Sequence, residues 1–315
     1  MDHPRELADV GLFNTRYTAF LETVVHLRPR LHRYCARMTG SVLDGEDVMQ
    51  EALFEAYRKL EQFDETRPLK PWLFRIAHNR CIDFLRRRGA HVDVDAHEDP
   101  AIAVSAAADL PGLRLGLAVE RLVIHLPPKE RACVLLKDVF DDSLDEIAKL
   151  IDSTVGGVKA ALHRGRGKLA RLQEPELLRA PADLRSAGSA HASELTLADA
   201  RLLQLYIERF NQRDWAGLRA LISADARLQV ADCFAGRLAD SPYFVEYERA
   251  DIPWRMVLGE IDGEPAVVSL RDAGAGFVPA GAIRVERLDG RIVRIADYFK
   301  CPWVLPTATT LWVNH

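Results

Sequence analysis

Cysteine is scarce and scattered in this chain. Among 315 residues there are five, Cys35, Cys81, Cys133, Cys233 and Cys301, and no two stand at the spacing of a zinc-binding or paired redox motif. A disulfide framework and a cysteine-ligated metal are therefore not expected, and the thiols read as reduced and mostly buried apolar groups. Long apolar runs are missing too. No stretch approaches the roughly 20 residues of a membrane span, and Met1 to Gly11 is polar and mixed in charge, without the apolar centre of a signal peptide. The sequence predicts a cytoplasmic protein with no membrane insertion. Net charge is small, −4, which taken as an average argues against a nucleic-acid partner. The remaining composition, 48% hydrophobic and 28% charged, is that of an ordinary globular protein long enough for several small cores.

The average charge conceals a partition along the chain. Ser153 to Gln173 holds Lys159, Arg164, Arg166, Lys168 and Arg171 and no acid, whereas Ala90 to Leu113 holds Asp93, Asp95, Glu98, Asp99 and Asp109 and neither Lys nor Arg. Apolar residues recur at helical spacing from Tyr17 to Met38 (Phe20, Val24, Leu27, Leu31, Tyr34, Met38) and again from Asp44 to Leu60 (Met49, Leu53, Ala56, Tyr57, Leu60). A third helix is expected over Pro71 to Arg88. Ala90 to Gly112 has no periodic stripe and reads as an acidic linker. Helices resume at Leu115 to His125, Lys129 to Phe140, Ser143 to Leu150 and Thr154 to Leu172. Glu174 to Leu195, with Pro175, Pro181, Gly188 and Ser189, reads as a second linker. Beyond it two helices, Leu197 to Asn211 and Trp215 to Ile222, precede β-prone runs at Ala226 to Val230, Trp254 to Ile261, Ala266 to Leu270, Gly281 to Leu288 and Arg291 to Phe299. Ile283 and Val285 alternate with Arg284 and Glu286, and Asp289-Gly290 is a hairpin signal.

The most specific stretch is SLDEIAKLIDSTVGGVKAALHRGRGKLARL, Ser143 to Leu172. Ser143 can cap one helix, a tight connection follows at Asp152 and Ser153, and Val155, Val158 and Leu162 hold the next helix against the first. This is helix-turn-helix spacing, in which the second helix enters the DNA major groove. The expected readers and phosphate contacts are Thr154, Val155, Lys159, His163, Arg164, Arg166 and Lys168. The stretch resembles the fourth conserved region of sigma factors, which reads the promoter minus-35 element, and LPPKERACVLLKDVF, Leu126 to Phe140, resembles the helix leading into it. Two positions depart from that family: Asp152 stands where Gly is usual at the turn, and Ala161 where a polar reader is common.

Two further segments carry the same resemblance. GEDVMQEALFEAYRKL, Gly45 to Leu60, is similar to the second conserved region, and places Asp47, Gln50 and Glu51 on one helix face. The resemblance implies that this face grips the β′ coiled coil of core RNA polymerase. PWLFRIAHNRCIDFLRRRG, Pro71 to Gly89, resembles the segment that recognises and melts the minus-10 element. Asn79, Arg80 and Asp83 are the expected base contacts and Arg86, Arg87 and Arg88 the expected backbone contacts, while Trp72 is expected in the core. The resemblance covers Phe20 to Leu172 and lacks the insertion of a housekeeping factor, so the family it implies is the extracytoplasmic-function group. Its partners would be core polymerase (β′ coiled coil and β flap), promoter DNA and an anti-sigma factor, with no cofactor, no metal and no catalytic residue.

Leu197 to Val304 resembles the nuclear-transport-factor-2-like or SnoaL-like fold, an α+β cone with a curved antiparallel sheet and room for a small ligand; the resemblance rests on RFNQRDWAGLRALI and the closing IVRIADYF. Asp232, Asp297 and Tyr298 are the only candidates there for polar chemistry. Where a glycine-rich DGGG-type motif occurs in one subgroup of sigma factors with such a domain, this chain reads Asp232-Cys233-Phe234-Ala235-Gly236. The expected order is thus a leader (1–19), two all-α domains (20–89 and 115–173) joined by the acidic linker (90–114), a second linker (174–196) and the α+β domain (197–315), which is expected to regulate in cis. The alternative is a one-component helix-turn-helix regulator with a ligand-sensing C-terminal domain.

Overall fold

The computed structural model describes residues 3–64, 66–89, 123–171, 197–231, 233–249 and 253–314, with side chains from 17 onward except those of 197 and 198. Both expected linkers and most of the helix expected over Leu115 to His125 lie outside these residues. The chain divides into two compact units, a helical one and a C-terminal α+β one.

The helical unit opens with α1 (His3–Thr39), α2 (Val42–Arg58) and α3 (Leu69–Arg87). Most of the residues read from the sequence as apolar stripes form its core: Phe20, Val24, Leu31, Tyr34 and Met38 are buried from α1, Met49, Leu53 and Ala56 from α2, and Leu73, Ala77 and Cys81 from α3, while Phe84, read on the same face of α3, is half-buried and Phe74 is buried beside them. Tyr57, expected in the stripe, is instead exposed. Gly45 sets how closely α1 and α2 approach. A Cβ there would lie 2.5 Å from the backbone of Ala36, so any larger residue must push the helices apart. Trp72 is half-buried and rests against Phe63, ring centroids 4.6 Å apart.

The unit continues through α4 (Pro128–Val134), a π-helical turn (Leu135–Val139), α5 (Leu144–Leu150) and α6 (Val155–Arg171). Where the sequence suggested one helix over Lys129 to Phe140, the chain widens after Val134, and the amide of Phe140 reaches back to the carbonyl of Leu135. Ser143 and Glu146 form a reciprocal capping box at the start of α5. Asp152 adopts φ 55, the left-handed conformation the tight connection requires. Arg131 ties these helices to α1. Its buried guanidinium donates to the carbonyls of Met38, Ile124 and Leu126, and burial lowers its pKa to about 10.

The α+β unit holds α7 (Leu197–Asn211), α8 (Trp215–Ala220), β1 (Ile222–Val230), β2 (Phe234–Arg237), α9 (Tyr243–Glu248), β3 (Trp254–Ile261), β4 (Glu264–Asp272), β5 (Phe277–Leu288), β6 (Arg291–Asp297), α10 (Val304–Thr307) and β7 (Leu311–Val313). The seven strands form one sheet in the order β2-β1-β6-β5-β4-β3-β7. Register shifts in β1–β6, β4–β5 and β5–β6 are the irregularities that bend a sheet. The expectation of an antiparallel sheet holds for every pair except β1 with β6, which is parallel, an arrangement the long connection between them permits. Asp289 and Gly290 take φ 51 and 72, the turn their sequence implied, and Asp262-Gly263 makes the same turn between β3 and β4. Arg284, read as the polar side of an alternating strand, is buried, because the equally buried Glu264 accepts from it at 2.7 Å. Asn211 clasps β3 through its amide, donating to the Met256 carbonyl at 2.8 Å and accepting from the Met256 amide at 2.7 Å.

Candidate nucleic-acid interface

Thr154 caps α6, its Oγ1 accepting from the amide of Gly157 at 3.0 Å. The helix presents Lys159 and His163 to solvent and half-buries Val155. The remaining cations are oriented by acids of the preceding helices. Arg164 Nε donates to Glu130 Oε1 at 3.0 Å and Lys168 Nζ lies 2.8 Å from Glu130 Oε2, while Arg166 forms a two-point fork onto Asp138. Their side chains stay 38% to 46% exposed, so the pairing aims them without withdrawing them from solvent. Ala161 is fully buried. Its side chain belongs to the helix-to-helix packing, which explains why no polar reader stands there.

On α2, Asp47 and Gln50 are half-buried and Glu51 is exposed, on the shared face their spacing implied. Gln50 Nε2 donates to Glu46 Oε1 at 2.9 Å. Phe54, three residues on from Glu51, is 63% exposed, an apolar group beside the acidic face that the periodicity reading passed over.

On α3, Asn79 is exposed. Arg80 pairs with Glu55 at 2.6 Å, and Asp83 with Arg86 at 3.2 Å. Burial raises the Glu55 pKa, but hydrogen bonds from Lys59 and Arg80 outweigh it and leave the carboxyl below its usual range. Arg86 and Arg87 are exposed, whereas the Arg88 side chain is 13% exposed and bonded to the buried Asp44 at 2.6 Å. Arg88 therefore joins α3 to α2. Asp142, just before α5, is a second internal anchor, 3.2 Å from Arg30 of α1 and 3.3 Å from Lys70 of α3.

In the α+β unit, Asp232 lies outside the described residues. Asp297 is buried, and its Oδ2 accepts from the hydroxyls of Tyr243 (2.7 Å) and Tyr247 (2.6 Å) while Oδ1 accepts from the Phe299 amide at 2.9 Å. Burial raises the Asp297 pKa against the lowering effect of these bonds, and burial with the nearby Asp297 charge raises both tyrosines. Tyr298 is buried. The structure thus unites Asp297 with two tyrosines that sequence reasoning did not connect to it. No group of three or more His, Cys, Asp or Glu among the described residues could hold a metal, and no helix there is long and apolar enough to cross a membrane.

Comparison with known proteins places this geometry. Residues 23–91 match the model for Sigma-70 region 2 and residues 116–169 that for Sigma-70, region 4. The ECF RNA polymerase sigma factor SigW of Bacillus subtilis is 34% identical over 162 residues, spanning 48% of this chain and 87% of the relative. Among solved structures, the Mycobacterium tuberculosis extracytoplasmic function sigma factor SigJ is matched over 91% of this chain and 98% of its own, at 15% identity and a TM-score of 0.32. An NTF2-like protein from Cytophaga hutchinsonii is matched over 34% of this chain and 92% of its own, at 14% identity and a TM-score of 0.24. The helical unit defines a sigma-70-type transcription initiation protein. The chain belongs to the extracytoplasmic-function RNA polymerase sigma factors, and it directs transcription initiation. The one-component regulator is not favoured, since it gives the region-2 segment nothing to do.

Proposed function

We propose that this sigma factor carries a C-terminal NTF2-like domain that governs its two promoter-binding domains in cis. In this reading the face of Asp47, Gln50 and Glu51, extended by the exposed Phe54, docks on the β′ coiled coil of core polymerase, and the 115–173 domain engages the β flap. Asn79, Arg80 and Asp83 read the minus-10 strand with Arg86 and Arg87 on its backbone. Thr154, Val155, Lys159 and His163 approach the minus-35 bases from the start of α6, and Arg164, Arg166 and Lys168 grip the flanking phosphates. An anti-sigma factor is a further partner of the same surfaces, and the protein works in the cytoplasm.

The observation that carries the reading is the capped, basic and solvent-facing α6 in one chain with the acidic face of α2. A nucleic-acid-reading helix and a protein-docking helix, joined in this order, are what a promoter-recognition subunit needs. Regulation in cis is supported by covalent attachment: a tethered domain acts at an effective concentration on the order of millimolar, so a weak contact suffices. Truncation after Leu172 is expected to change promoter output several-fold, and the separate domain added in trans should restore it poorly. Equal output from the truncated and full-length proteins across promoters would remove the regulatory role.

A further inference from the structure

Acids from outside α6 hold that helix on both of its flanks. At about 100° per residue, Arg164 and Lys168 fall on one flank and Arg166 on the other, with Gly165 between them facing α4, where a Cβ would meet Val134 Cγ2 at 2.9 Å. Glu130, on α4, takes the first flank: its carboxylate accepts from Arg164 Nε at 3.0 Å and lies 2.8 Å from Lys168 Nζ. Asp138, in the π-helical turn, takes the second, both of its oxygens accepting from the Arg166 guanidinium. Glu130 is buried, 5% exposed, a position in which a carboxylate is tolerated when cations pair with it.

Two acids thus neutralise part of the charge of a helix whose proposed partner is DNA. For general DNA affinity they are unfavourable, since a cation already paired with a carboxylate releases fewer counter-ions from phosphate. What they supply is geometry. Held on both flanks, α6 keeps one roll about its own axis, and with it one direction for Lys159 and His163. A roll of about 15° would carry a side-chain tip about 6 Å from the axis through roughly 1.5 Å, more than a hydrogen bond to a base edge tolerates. Cations that are already oriented also lose less side-chain entropy when a phosphate arrives.

We infer that Glu130 and Asp138 are specificity-determining positioning residues: they lower the general affinity of α6 for DNA and fix its roll, so that its readers and cations fit the minus-35 duplex and fit other sequences less well. This role rests on the reading of α6 as the minus-35 helix, and it gives neither acid a contact with DNA.

The deciding quantity is a ratio of two affinities, measured for holoenzyme assembled from the full chain and core polymerase. One is for a duplex promoter mapped by run-off transcription, the other for the same duplex with its minus-35 element scrambled. Glu130→Gln and Asp138→Asn each keep an acceptor oxygen and remove the charge. Each should leave core binding intact and lower the ratio about two- to tenfold, the worth of one immobilised side chain. Loss of a negative charge alone would tighten binding to both duplexes by one factor, and partial unfolding would weaken both by one factor; either leaves the ratio unchanged and overturns the inference. Arg166→Lys keeps the charge but cannot make the two-point fork. It should lower the ratio about as much as Asp138→Asn, and the double variant should lower it no further; losses that multiply would overturn the role of the fork. A wild-type holoenzyme that does not distinguish the two duplexes would remove the reading of α6 itself, and this role with it.

Discussion

Gly165, on the inner side of α6, fixes how this helix sits on its domain. A Cβ at this position would lie 2.9 Å from Cγ2 of the fully buried Val134 and 3.4 Å from Cβ of Glu130. Two residues on, Gly167 has nothing within 4 Å. Replacing either glycine by alanine gains about 1 kcal/mol of helix propensity, and that gain is common to both. Only Gly165→Ala adds the overpacking cost of about 1–3 kcal/mol. Gly167→Ala should therefore stabilise α6, and Gly165→Ala should fall below it by about 1–3 kcal/mol, the clash alone. Hydrogen exchange of the α6 amides in the full chain reads this difference locally, so unfolding of the α+β unit does not enter. Val134→Ala in the Gly165→Ala background should recover part of the protection by opening room for the methyl. If the two alanine variants exchange alike, or Gly165→Ala is the better protected, the close approach of α4 and α6 is not what holds this helix.

Acid should loosen the first helical domain through His78. Burial lowers its pKa to about 4 while Tyr34 Oη sits 2.8 Å from its Nδ1. The unfolded chain then binds a proton that the folded one refuses, so stability is lost as pH falls from about 6.5 toward 4, by up to about 1.4 kcal/mol per unit. Denaturant titrations at pH 7.5 and 5 should show the loss in the wild type and less of it in a Tyr34→Phe, His78→Leu double variant; an equal loss in both would reject the assignment. The promoter-binding roles should also separate. Lys159→Ala should weaken binding to duplex promoter and reduce its salt slope by about one, whereas Asn79→Ala should spare duplex binding and reduce permanganate reactivity of the melted thymines. Identical behaviour of the two variants would contradict the division.

Local features were the ones legible in the sequence. Ser143 announces a helix cap, Asp152 the tight turn and Asp289-Gly290 the hairpin, because each depends on neighbours within four residues. Leu197–Asn211 and Trp254–Ile261 run between the bounds that periodicity implied. What stayed hidden is non-local. The ion pair of Arg164 with Glu130 spans 34 positions and that of Arg88 with Asp44 spans 44, so a basic run could not reveal which cations the domain spends on itself. The Tyr243 and Tyr247 bonds to Asp297 span 54 and 50 positions, and both tyrosines come from α9, a six-residue helix too short to show a stripe. β2 and β7 are short edge strands for the same reason, and the parallel pairing of β1 with β6 follows from sheet order, which no turn signal encodes.

The measurement that bears most directly on the central claim is run-off transcription with purified core polymerase, with start sites mapped. The full-length protein should confer synthesis from discrete promoters that share two spaced elements, and charge reversal at Asp47 and Glu51 should abolish both synthesis and co-purification with core while leaving the helical circular dichroism intact. Core polymerase that initiates no differently with the protein present, or a charge-reversed variant that binds and transcribes like the wild type, would contradict the account.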